Sequence, residues 1–267
     1  MSSLLNKELG IAAGIAVTSF VAGNLAVRYM SATPTPPKEP VNQGIDLKNS
    51  RVADKYVKEN SLREPAVLKE LREHTIKNVE DYDMVSDPCQ IQFFRLLLNM
   101  LDAKKCIEVG TYTGYNVLST ALTIPSDGVI YALDINEDYV KEGYPFFEKA
   151  GVKDKIVVKI GPAVESLDEL ISKGETETFD FIYVDADKTS YEKYLDRAML
   201  LLRCGGILAF DNMLQAGRVA DLTQEMTPER RHRAEYIHKL NQKLKLDKRF
   251  QLSFLNIADG LTLCRKL

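Results

Sequence analysis

EVGTYTGY, at residues 108–115, joins an apolar, strand-like run (105–109) to a helix-like segment (115–123). Glycines at 110 and 114 let the backbone turn tightly and approach a ligand at the start of the following helix. Outward from this turn the same alternation repeats. Runs rich in Val, Ile and aromatic residues occur at 129–134, 156–160, 179–185 and 206–211, with helix-like segments at 138–150, 164–173 and 191–203 between them. That order predicts a parallel sheet with helices on both faces. Two final strands, 250–257 and 261–266, flank Ala258-Asp259-Gly260, a hairpin turn signal. The fold expected is α/β and Rossmann-like: a mostly parallel sheet closed by a C-terminal antiparallel hairpin. Upstream, 62–79 and 90–101 carry apolar residues at helical spacing.

In an open α/β sheet, ligands bind beyond the carboxyl ends of the strands, so the 108–115 turn faces a crevice. A dinucleotide enzyme would place G-x-G-x-x-G here, to bring amides to a pyrophosphate. This chain has Glu108-x-Gly110-x-x-x-Gly114 instead. A carboxylate suits a pyrophosphate poorly but can accept from the ammonium of a methionine group. Asp134, at the end of the second strand, can bind both hydroxyls of a ribose. Together these residues predict S-adenosylmethionine as cofactor.

The next two strands end in VDADK (184–188) and FDN (210–212). Asp185, Asp211 and Asn212 then lie at neighbouring strand ends on the cofactor edge. All three offer hard oxygen donors, which suit a divalent cation, magnesium first. Helix capping explains one such residue easily, and the whole set less well. Lys188, three residues after Asp185, can act as a base if cation charge and partial burial lower its pKa.

These motifs, with DIN (134–136), GPA (161–163), ADGLTL (258–263) and the run LREPAVLKELRE (62–73), resemble the cation-dependent O-methyltransferases of the caffeoyl-CoA and catechol type over about four-fifths of the chain. The resemblance implies metal ligation by Asp185, Asp211 and Asn212, catalysis through Lys188 and Asp185, and cofactor contacts at Ser86, Glu108, Gly110, Thr111, Asn116, Asp134, Ala163 and Asp185. It implies an aromatic diol as acceptor, free or as an acyl-CoA ester, and admits a homodimer. Asn116 departs from a serine common in the plant enzymes. Gln215-Ala216-Gly217 departs from their Trp-Asn-Gly, which contacts the phenylpropanoid acceptor.

Residues 9–27 form an uncharged run of 19 residues, close to the ~20 that a membrane-spanning helix needs. A chain with three parts is therefore expected: a membrane anchor (1–30), a Pro-rich linker (31–44) and an O-methyltransferase domain (45–267). Such an anchor resembles that of the catechol O-methyltransferase domain-containing proteins. It predicts a single-pass protein of an intracellular membrane, with secretion after signal cleavage as the alternative. The net charge of −3 gives no reason to expect nucleic acid, and the basic stretch at 229–249 reads as a solvated helix face. Four scattered cysteines without a CxxC pair read as buried hydrophobes. The competing functions are a nicotinamide-dependent oxidoreductase, a metal-independent methyltransferase, and a membrane-tethered binding protein with a relict pocket.

Overall fold

The computed structural model describes residues 47–267. Two compact units divide between Tyr56 and Val57. Of the first, the described part is the start of helix α1 (Leu47–Ser61), which the sequence pattern did not announce. The second runs from Val57 to Leu267 and contains the sheet.

The unit opens with α2 (Ala66–Asn78) and α3 (Pro88–Met100). Asp87 caps α3, its side chain accepting from the amides of Cys89 and Gln90 at 2.8 and 3.1 Å, and Pro88 fills the first helical position. Strand β1 (Lys105–Val109), α4 (Tyr115–Thr123), β2 (Val129–Asp134), α5 (Glu137–Lys149), β3 (Ile156–Ile160), α6 (Ala163–Ser172), β4 (Phe179–Val184), α7 (Tyr191–Leu201) and β5 (Leu202–Phe210) then alternate. Helix α8 (Pro228–Leu246) and the hairpin β6 (Phe250–Leu255) and β7 (Leu261–Lys266) finish the chain.

The seven strands lie in the order β3-β2-β1-β4-β5-β7-β6. Pairing is parallel from β3 to β5 and antiparallel at β5–β7 and β7–β6. All six residues of β4 are buried, as a central strand covered on both faces requires. The period of two sorts side chains cleanly. Ile107, Val109, Ile182, Val184, Leu208 and Phe210 pack on one face against α6, α7 and α8. Cys106, Phe181, Tyr183, Ile207 and Ala209 pack on the other against α2, α3, α4 and Phe147 of α5.

Two boundaries differ from the sequence expectation. Strand β5 begins at Leu202 rather than 206, so α7 stops at Leu201. The glycine pair 205–206 lies inside the strand at an irregularity: the register with β4 shifts between Phe179 and Phe181, and Gly205 takes φ +81°. The basic stretch is helical in α8, which buries Ala234, Ile237, Leu240 and Leu244.

The expectation of a membrane-anchored, single-pass protein is corrected. Among the described residues no helix is long and apolar enough to cross a membrane. The longest, α8, spans 19 residues but turns basic side chains outward along its length. The run 9–27 that carried the anchor, and the secreted alternative with it, lies outside the described residues. That localisation does not stand.

Gly143, within α5, illustrates how closely this helix meets the 111–114 turn. A Cβ there would lie 2.6 Å from the Thr113 carbonyl oxygen and 2.7 Å from the Phe147 ring. Alanine normally stabilises a helix interior by about 1 kcal/mol over glycine. Here the overpacking cost, typically ~1–3 kcal/mol, opposes that gain and involves fixed backbone. Gly143→Ala is therefore expected to lower the Tm by a few degrees in a thermal melt rather than raise it.

Candidate active site

The strand order reverses between β1 and β4, and a cleft of about 1170 Å³ opens at their carboxyl edge. Ser86, Glu108, Gly110, Thr111, Asn116, Asp134, Ala163, Asp185, Lys188, Asp211 and Asn212 all line it. Residues from six separate segments are thus brought to one wall system.

The turn after β1 is tied down by its neighbours. Thr111 and Tyr112 donate their amides to one oxygen of Asp134 at 2.8 and 2.7 Å, and Asn136 donates to the other at 2.8 Å. Asp134 thus braces the turn: Oδ2 accepts twice, and Oδ1, which accepts once, keeps a further lone pair for a ligand. Gly110 has φ +92°, and a Cβ there would sit 2.0 Å from the Asp185 carbonyl oxygen, so this approach requires glycine.

Glu108 is buried, 3% exposed, and accepts from Asn116 Nδ2 at 2.8 Å. Burial pushes its carboxyl well above the usual range; the Asn116 bond opposes this and the nearby Asp185 and Asp134 charges add to it. Asn116 Oδ1 is buried with no hydrogen-bond partner among the described residues. A buried carboxyl and an unpartnered carbonyl side by side make an acceptor pair suited to an ammonium group. The residues present therefore fit the amino-acid end of S-adenosylmethionine.

At the adjacent strand ends, Val184 pairs with Phe210, and the Asp211 amide donates to the Val184 carbonyl at 3.0 Å. Asp185 and Asp211 follow directly. Lys188 Nζ donates to Asp185 Oδ1 at 2.7 Å and to the Tyr191 hydroxyl at 2.8 Å. Asp211 is 4% exposed. Its Oδ2 accepts from the Tyr183 hydroxyl and from Gln90 Nε2 at 2.6 Å, and its Oδ1 from the Asn212 amide at 2.6 Å. Burial, then the charge of Asp185, raises its carboxyl to about 6 despite these bonds.

Asn212 takes φ +54°, a left-handed conformation that asparagine tolerates better than most residues. Nearby, burial raises the carboxyl of Asp259, which accepts from the Ala216 amide at 2.5 Å.

Two carboxylates and an amide oxygen are the donor chemistry of a hard divalent cation, and positive charge beside them would relieve the Asp185–Asp211 repulsion. The set fits, although among the described residues no group of three or more His, Cys, Asp or Glu forms a metal site by itself.

Several cleft features were not anticipated. Tyr112 and Tyr139 meet edge to face at 4.9 Å, both hydroxyls turned to Asp81. Lys193 and Arg233 also line the cleft. Gln215, where the plant enzymes carry an aromatic residue, is buried and donates to the Asn212 carbonyl at 2.7 Å instead of lining the cleft. Gln90 gave one signal: it is polar within the buried stripe of α3 that contains Ile91, Phe94 and Leu98.

Comparisons with known proteins agree with this geometry. Residues 58–267 match the O-methyltransferase family. The chain is 43% identical over 201 residues to probable caffeoyl-CoA O-methyltransferase 1 of Dictyostelium discoideum, covering 75% of this chain and 86% of that protein. It is 41% identical over 215 residues to caffeoyl-CoA O-methyltransferase of Eucalyptus gunnii, covering 79% and 86%. A Podospora anserina methyltransferase solved with SAH bound superposes with a TM-score of 0.75 at 26% identity, over 83% of this chain and 97% of that one.

The Asp211 environment carries a direct test. In the metal-free protein its carboxyl is expected to titrate near pH 6, followed by carbon-13 carboxyl NMR. Asp185→Asn removes one cause and should bring the midpoint down toward the usual ~4. The sign for stability follows: with its folded pKa raised, Asp211 contributes stability below about pH 4 that is lost as pH rises through about 6.

Proposed function

Because the chain belongs to the O-methyltransferase family and is an S-adenosylmethionine-dependent O-methyltransferase, we propose that its acceptor is a vicinal aromatic diol and that a divalent cation takes part in the reaction. The observation carrying this reading is the convergence of Asp185, Lys188, Asp211 and Asn212 on the same cleft wall as the glycine turn.

In this reading Glu108 and Asn116 Oδ1 hold the ammonium of the donor, and Asp134 takes the ribose with the acceptor site that Oδ1 retains after bracing the turn. Ser86, Gly110, Thr111 and Ala163 shape the remaining wall. Asp185, Asp211 and Asn212 would hold the cation, magnesium by the hardness of their oxygens. When bound, it supplies the positive charge that lowers the pKa of the acceptor hydroxyl.

Lys188 Nζ, fixed between Asp185 Oδ1 and the Tyr191 hydroxyl, acts as the neutral amine: it donates to both and takes the proton of the acceptor's hydroxyl on its lone pair. The transfer is an in-line displacement at carbon, so the residues that orient donor and acceptor convert alignment into rate. The names of the relatives make an acyl-CoA ester one candidate form of the acceptor. Lys193 and Arg233 supply cationic charge that a phosphate-bearing acceptor could use.

The full-length protein should methylate members of a vicinal diol panel, free or as coenzyme A esters, from radiolabelled S-adenosylmethionine. EDTA should abolish turnover and added magnesium restore it; activity unchanged in EDTA would remove the cation from the reaction. Lys188→Ala is expected to lower kcat by roughly 10²–10⁴, the usual worth of a positioned base, with SAH affinity retained.

A further inference from the structure

Gln90 and Tyr183 are 0% and 1% exposed, and neither lines the cleft, whereas Asp211 does. Both nevertheless spend their donors on the same atom. Tyr183 donates its hydroxyl to Asp211 Oδ2, and Gln90 donates from Nε2 at 2.6 Å, with Tyr183 a further 3.3 Å contact of that amide.

The three side chains come from α3, the middle sheet strand β4 and the end of β5, so no local turn forces them together. Each donor is itself held in place. The first turn of α3 is locked by the Asp87 cap, which accepts from the Gln90 amide at 3.1 Å. The Tyr183 ring is held edge to face by Phe94 at 4.9 Å.

Stability alone accounts poorly for this arrangement. Turning Nε2 toward a carboxylate is the sensible amide orientation, since Oε1 in that place would repel it. The orientation leaves Gln90 Oε1 buried with no hydrogen-bond partner among the described residues. Native interiors seldom keep such a group without a reason, and an apolar side chain would fill the space at less cost.

We propose that Gln90 and Tyr183 are positioning residues for the methyl transfer: they hold Asp211 Oδ2 from the buried side and so present Oδ1 to the divalent cation in the cleft. The proposal rests on Asp211 being a ligand of that cation. Oδ1 already accepts from the Asn212 amide at 2.6 Å and keeps a second lone pair, so both carboxylate oxygens are set in direction before any cation arrives.

The experiment titrates manganese alone into the full-length protein and follows free ion by EPR, for wild type, Asp211→Ala, Tyr183→Phe and Gln90→Met. SAH affinity is measured in parallel by calorimetry. Tyr183→Phe removes a single oxygen atom and keeps the ring packing, so it tests the proposal even if Gln90→Met fails to fold. Partners of this kind typically change metal affinity 10–100-fold; Tyr183→Phe and Gln90→Met are each expected to weaken manganese binding about tenfold, and Asp211→Ala to lose it, while SAH affinity stays at the wild-type value. Saturating manganese should then restore most of the wild-type kcat in Tyr183→Phe. If wild type binds no manganese, or Asp211→Ala binds it equally well, the ligand assignment itself fails. If Asp211→Ala loses binding but Tyr183→Phe and Gln90→Met match wild type, the positioning role is overturned. Parallel loss of manganese and SAH affinity, unrescued by metal, also overturns it, because that pattern is general damage to the cleft.

Discussion

Two carboxylates, Asp185 and Asp211, follow directly from residues that pair across the two neighbouring parallel strands β4 and β5, and one of them is almost fully buried. Like charges so placed oppose each other, and desolvation opposes the charged form further. A fold selected for stability alone would not keep this pair. The surroundings read as the means of holding it: Lys188 on Asp185, the amide of Asn212 on one oxygen of Asp211, and Tyr183 and Gln90 on the other. Each bond offsets part of the desolvation without reversing it, since the Asp211 carboxyl still ends above its ordinary range. In the proposed reading, the unrelieved remainder is the driving force for binding a cation.

Sheet order determines where that driving force acts. Because β2 and β3 extend from one side of β1, and β4 and β5 from the other, the turns after β1 and β4 part at the switch point and leave the crevice between them. The parallel strands alone would supply the glycine turn, Asp134, Asp185 and Asp211. The antiparallel hairpin adds a group they lack: the turn between β6 and β7 returns Asp259 to the same edge, where it accepts from the Ala216 amide. The backbone from 212 to 216 carries three non-glycine residues at positive φ, and this clamp helps hold them there.

Much of this was legible from the chain itself because it depends on backbone periodicity. Strands β1 to β4 were expected within a residue of where they lie, since alternation and burial on both faces leave an unambiguous mark. Strand-end carboxylates were legible for the same reason: parallel strands deliver their last residues to one edge. The start of β5 was not, because Gly205 and Gly206 look alike whether they break a strand or lie inside it. Helix α1 is mostly polar and charged, with few apolar residues, and was not expected. The apolar run at 9–27 pointed to an anchor by length and hydropathy alone, and no described helix has that character. Gln90, Tyr183 and Asp259 act through side chains that meet across long sequence separations, which no local pattern records.

The cleft therefore divides into two parts that differ in how they are built. Its chemical part consists of side chains tied to backbone amides or to buried partners, as with Asp134, Asp185 and Asp211. Substituting any of these disturbs several bonds together. Its other walls include Lys193 and Arg233, exposed side chains from separate helices. Gln215 is turned away into the protein, so the position that differs most from the plant pattern makes no wall at all. Changes in those outer residues can alter which acceptor fits without moving the groups proposed to bind the donor and handle the proton. In the proposed reading, the departure at 215–217 bears on acceptor shape and the VDADK and FDN motifs on the chemistry, and the two are physically separable in this molecule.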